Sequence, residues 1–190
     1  MKEVKGKKII VVAGPSASGK SYLIRQLMTK KKSKLKDRVY HALDINPHEP
    51  RSRMSIGALS NLETKGKPSR KLEKDLIFIH FDITSRHQKE KKLLLLSIAK
   101  HCKSIKVLTL QTNFEEWRER MAKRIQSNTT EIPSNRANTI YRLSKIMPSP
   151  AKWLYGSIYK QWAKFIHDIE PDEQLTVNNE DIPFKPKRKT

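Results

Sequence analysis

The sequence predicts an α/β fold in which a central parallel sheet of about five strands carries helices on both faces. Three observations carry that expectation. A branched apolar run, "IIVVA" at 9–13, breaks into the small-residue loop "GPSASGKS" and then into helical periodicity. Further runs, "LIFIHF" at 76–81 and "KVLTLQT" at 106–112, are too continuously apolar for strands with one wet face and suit strands covered on both. Between the runs apolar residues recur at three- and four-residue steps, the spacing of helices.

Taken in order, residues 8–13 form the first strand, which ends at Gly14. A helix opens near Gly19, with Leu23, Ile24, Leu27 and Met28 on one face, and dissolves into the lysine run "KKKSKLKDR" at 30–38. "RVYHAL" at 38–43 reads as a second strand ending at Asp44. The Pro- and Gly-bearing stretch 45–75 reads as a loop with one short helix at most, the place where a substrate region would be inserted. The strand at 76–81 closes on Asp82, and a helix over 86–102 buries "LLLLSIA". After the strand at 106–112, Asn113 and Glu116 have capping-box spacing, and Trp117, Met121 and Ile125 follow four apart on one helical face. Two helices, 136–147 and 150–169, complete the helical set. The second is expected to open on Ser149 as N-cap with Pro150 in its first turn, and to bury Leu154, Ile158, Trp162, Phe165 and Ile166. "QLTVN" at 174–178 is a last strand, and 184–190 is a basic tail on a domain spanning 1–183.

The totals narrow the class. A chain of 190 residues suits one domain with its own core. Its longest apolar runs are too short to cross a bilayer and its N-terminus lacks a signal pattern, so a cytoplasmic location without membrane contact is expected. Cys102 is the single cysteine, which leaves no internal disulfide and no thiolate metal cluster. The formal net charge of +21 attracts anions, and the lysine runs fit either a solvated, repelling surface or nucleic-acid binding.

The loop is the specific signal. Gly14, Pro15, Ser16, Ala17, Ser18, Gly19, Lys20 and Ser21 match the pattern G-x-x-x-x-G-K-[ST] without departure. In that pattern glycines let successive amides point inward around phosphates, Lys20 reaches the terminal phosphates, and the Ser21 hydroxyl ligates magnesium. A nucleoside triphosphate, ATP with Mg2+, is therefore the expected cofactor, cradled also by the N-terminal end of the following helix. A GTPase would place Asn-Lys-x-Asp after a late strand, whereas "NFEEW" follows the strand at 106–112.

The segment "NFEEWRERMAKR" resembles the start of the lid in small P-loop kinases of the adenylate, gluconate and shikimate kinase type, through Glu119, Arg120, Met121 and Arg124. The resemblance implies a three-layer P-loop kinase fold, an ATP-dependent phosphotransferase, a lid within 120–136, and Arg120 and Arg124 side by side over the transferring phosphoryl group. It also implies that Asp82, at the end of an apolar strand, supports the magnesium shell, with capping of the next helix as its alternative. Asp44 takes the position from which similar kinases orient the acceptor hydroxyl, with a turn-forming role as its alternative. The acceptor stays open among nucleosides, nucleotides, sugars and polynucleotide 5′-hydroxyls. Two rival readings remain: a regulatory or nucleic-acid-binding module that keeps the loop without chemistry, and a sulfotransferase. His41, His80 and His87 lack metal-ligand spacing and read as structural.

Overall fold

The computed structural model describes residues 4–29, 39–46, 55–58, 76–85, 88–127 and 135–178. In chain order the elements are β1 (Lys8–Gly14), α1 (Lys20–Thr29), β2 (Val39–Asn46), β3 (Ser55–Ala58), β4 (Leu76–Asp82), α2 (Gln88–His101), β5 (Ser104–Gln111), α3 (Phe114–Gln126), α4 (Asn135–Ile146), α5 (Pro148–Ile169) and β6 (Glu173–Asn178). They build one sheet with the strand order β3-β2-β4-β1-β5-β6. β2, β4, β1, β5 and β6 run parallel, and only β3 opposes its neighbour β2.

β1 sits inside the sheet between β4 and β5, which is why its sequence is apolar without alternation. Successive side chains of a strand point to opposite faces, and two apolar clusters divide accordingly. Ile9, Val11 and Ala13 join the larger cluster, with Leu94 and Leu95 of α2, Trp117 and Met121 of α3, and Trp162 and Phe165 of α5. Val12, flanked by Ile10, joins the smaller one with Phe78, Leu110 and Ile24 of α1. Each fully buried large apolar side chain contributes about 1.5–3 kcal/mol, so these clusters hold the helices to the sheet.

The clusters also locate a crevice. β1 leads into α1 on one face, while its neighbour β4 leads into α2, whose leucines belong to the other cluster. Adjacent parallel strands whose exits diverge to opposite faces open a gap beyond their carboxyl ends, the usual place for a ligand in such sheets. The paired residues Gly14 and Asp82 stand at that gap.

Four sequence expectations are corrected. β2 does not end at Asp44 but runs to Asn46, because β3, within the stretch read as a loop or short helix, pairs with it as an antiparallel edge strand. Asp44 therefore lies inside a strand, opposite His80 of β4 and Gly57 of β3. α5 opens two residues earlier than expected: Met147 is its N-cap without a side-chain cap bond, and Pro148 rather than Pro150 begins the first turn, where its missing N–H costs nothing. The stripe on α3 ends early, with Trp117 and Met121 fully buried and Ile125 41% exposed. Four-residue steps drift by about 40° each at 3.6 residues per turn, so Ile125 has rotated away while Arg124 stays within about 20° of Trp117. The lysine run 30–38, most of 45–75, residues 128–134 of the lid segment and the tail 184–190 lie outside the described residues, as do His87 and the side chains of Met28, His41 and Asp44.

Candidate functional site

The loop between β1 and α1 is held from three sides. Gly14 leaves β1 where a Cβ would stand 2.5 Å from Ser18 Oγ and 3.1 Å from the Leu110 carbonyl oxygen, so the first motif glycine is required by close approach. Ala17 and Gly19 have positive φ, 66° and 90°, which turns the loop back toward α1. For Gly19 that conformation is free; for Ala17 it costs about 1–2 kcal/mol, strain that the surrounding contacts sustain. Ser18 N–H donates to the Pro15 carbonyl (3.1 Å) and closes the turn.

β4 supplies the second side. Ile83 N–H donates to the Gly14 carbonyl (3.0 Å), continuing the β1–β4 ladder past the strand ends. The Asp82 carboxylate then turns into the loop: Oδ2 accepts the Ser16 hydroxyl at 2.6 Å, and Oδ1 accepts the Thr84 amide at 2.8 Å and hydroxyl at 2.5 Å. Thr84 is fully buried, and its Oγ1 accepts the Ser16 amide at 3.1 Å. Asp82 thus caps its own turn, and Gln88 Nε2 at the start of α2 donates to the Asp82 carbonyl at 2.9 Å. The third side is α3, whose Trp117 indole N–H donates to the Ser16 carbonyl at 2.9 Å.

Lys20 is 3% exposed, and its ammonium donates to the carbonyls of Gly14 (3.0 Å) and Pro15 (2.7 Å) inside the loop. Burial by itself would push the Asp82 carboxyl up, but the Lys20 charge and the bonds from Ser16 and Thr84 outweigh it and hold the group below its ordinary value of 3.8. A depressed carboxylate contributes stability that is present above the unfolded value and is lost as pH falls through the folded one. The melting temperature of the protein is therefore expected to drop as pH is lowered below about 4, by an increment that Asp82→Asn lacks. Parallel pH–melting curves for the two proteins in that window would contradict the assignment.

The sequence-derived residues are only partly brought together. The loop, Lys20 and Asp82 converge, and Ser21 follows Lys20 in the first turn of α1. Asp44 pairs with His80, two residues short of the Gly14–Asp82 level, and so stands about 7 Å behind the crevice edge at the rise of a strand. Arg120 and Arg124 are both half-buried, on the Trp117 side of α3 rather than on a face separate from its core stripe. Arg120 pairs with Glu116 one turn back, and a guanidinium with five donors can keep that partner while meeting a phosphate.

Sequence reasoning missed Thr84, the indole of Trp117 and two tyrosines. Tyr155 O–H donates to the Thr112 carbonyl (2.8 Å), Tyr159 O–H donates to the Leu110 carbonyl (3.1 Å) and accepts the Thr112 amide (3.2 Å). Burial raises both phenols above their ordinary range, so they serve as neutral hydrogen-bonding groups. Tyr155 packs on Trp117 with ring centroids 4.7 Å apart, which joins α5, α3 and the loop into one support. The signals were present: Thr two residues after a strand-ending Asp can close an Asx turn, and a buried Trp needs a partner for its N–H.

Comparisons with protein-family models, with curated proteins and with solved structures returned no match. Among the described residues no helix is long and apolar enough to cross a membrane.

Proposed function

We propose that the chain is an ATP-dependent phosphotransferase with a three-layer P-loop kinase-like fold. The observation that carries the reading is the loop Gly14–Ser21, which joins β1 to α1 at the crevice between β1 and β4, with the Asp82 carboxylate of the adjoining strand turned into it. A buried lysine and a helix N-terminus at one point favour the phosphates of a nucleotide. Lys20 would exchange the Gly14 and Pro15 carbonyls for phosphate oxygens, its position unchanged. Magnesium that arrives with a nucleotide needs few protein ligands, and the Ser21 hydroxyl and Asp82 carboxylate are oxygen donors of the kind it takes. Such an ion would neutralise charge on the phosphates. Arg120 and Arg124 would face the equatorial oxygens of the group in transfer, and Asp44 would orient an acceptor that reaches below the loop edge.

Because charge on the moving group is redistributed only during reaction, Arg120→Ala and Arg124→Ala are each expected to lower kcat at least about tenfold while changing the ATP dissociation constant less than about threefold. Full kcat in both variants would remove the arginines from the site. The function is tested by incubating the protein with magnesium and γ-labelled ATP across nucleosides, nucleoside monophosphates, sugars and 5′-hydroxyl oligonucleotides. Label on one acceptor class, absent with Lys20→Met, is the expected result. ATP binding that yields only free phosphate, or no product, would favour the nucleotide-binding module without transfer.

A further inference from the structure

The helical hairpin α4–α5 has a composition unlike the rest of the chain. From Ile132 to His167 there is no Asp or Glu, although the chain carries 19, while Arg136, Arg142, Lys145, Lys152, Lys160 and Lys164 all fall within it. The buried stripe of α5, from Ala151 through Tyr155, Ile158, Trp162 and Phe165 to Ile169, accounts for one of its faces. The opposite face is not simply polar. Trp153 is 69% exposed, and at the turn between the helices Ile146 and Met147 are 80% and 51% exposed.

These residues form a line. At about 100° per residue, Trp153, Lys160 and Lys164 fall within about 40° of one another on α5. The helix has 22 residues and so runs for about 33 Å. One turn after Trp153 comes Gly156, where an added Cβ would meet nothing within 4 Å. A glycine inside a helix costs roughly 0.5–1 kcal/mol relative to alanine, and here no packing contact requires it. Its effect is to leave the helix surface bare beside the tryptophan ring.

We infer that the exposed face of α5, with Trp153 as a stacking platform, Gly156 as the notch beside it and Lys160 and Lys164 in line, is a binding surface for single-stranded nucleic acid. A flat base stacked on Trp153 occupies the volume that a side chain at 156 would fill, and the sugar–phosphate backbone then follows the lysines as far as Lys164, with Asp168 one turn beyond. The inference is independent of phosphate transfer at the loop.

The test is tryptophan fluorescence of the full chain titrated with thymidine and uridine oligonucleotides of about 15 residues, which separate DNA from RNA as the source of the strand. A blunt duplex and phosphatidylglycerol vesicles are run alongside at an ionic strength of about 0.15 M. Trp117 and Trp162 are 0% and 3% exposed, so quenching reports Trp153. Single strands are expected to quench; Trp153→Ala abolishes the quench and weakens binding about tenfold, measured with a labelled strand. Replacing Lys160 and Lys164 by Gln lowers the salt slope by about 0.7 per lysine. Gly156→Ala melts at a higher temperature yet binds more weakly, a divergence that a purely structural glycine would not produce. Lys20→Met binds the strand as the parent does, which separates this surface from the loop. Equal affinity of parent and Trp153→Ala, undiminished binding by Gly156→Ala, or quenching by vesicles or duplex as strong as by single strands would overturn the inference.

Discussion

Lys20→Met is expected to weaken ATP binding about a hundredfold and to abolish phosphate transfer. Charge-assisted hydrogen bonds contribute about 1.5–3 kcal/mol each, so two such bonds to phosphate oxygens, about 3–6 kcal/mol together, give that factor at their low end. Methionine is the informative replacement because Lys20 is buried at 3% exposure and its stem fills the loop. Alanine would remove that volume as well as the charge, so lost activity could then reflect a collapsed loop. Calorimetric titration with ATP and magnesium, together with a melting curve, separates the two. Unchanged ATP affinity in a folded Lys20→Met protein would sink the nucleotide assignment.

Asp82→Ala is expected to destabilise the protein by about 3 kcal/mol and to disorder the loop. The carboxylate accepts the Ser16 hydroxyl and both donors of Thr84, and it is the counter-charge of Lys20. Removing it strands these donors and leaves a buried ammonium without its anion, the more damaging half of breaking such a pair. Asp82→Asn keeps one acceptor oxygen and should recover part of the stability, without recovering phosphate transfer. Urea unfolding of the three proteins measures the first effect and the label-transfer assay the second. An alanine variant as stable as the parent would show that Asp82 does not organise the loop.

How far the sequence reached depended on the kind of interaction. The loop was legible because its motif is contiguous: Gly14 closely approaches Ser18, four residues on, and Gly19 takes a positive φ of 90°. The buried strands β1, β4 and β5 were legible because a strand covered on both faces must be apolar without alternation. β3 was not, since an edge strand of four residues, Ser55–Ala58, carries no such pattern and is defined by its partner β2. The start of α5 was missed because proline suits any first-turn position, and the sequence offers both Pro148 and Pro150.

Charge and composition were also available in one dimension, including a stretch free of carboxylates from Ile132 to His167. Which of its faces is exposed was decided by packing: α5 buries Tyr155 and Trp162 and leaves Trp153 in solvent. The supports of the loop belong to the same category. Asp82 lies 66 residues from Ser16, and the Trp117 indole 101 residues from the carbonyl it binds. The sequence alone determined the small-residue loop between a strand and a helix, the parallel α/β class and the strongly basic composition, because each follows from residues adjacent in the chain or from their sum. Only the tertiary structure decided that Asp82 turns into the loop, that Thr84 and Trp117 brace it and that Asp44 stands back from it, because strand register and helix rotation set those distances and no local pattern encodes either.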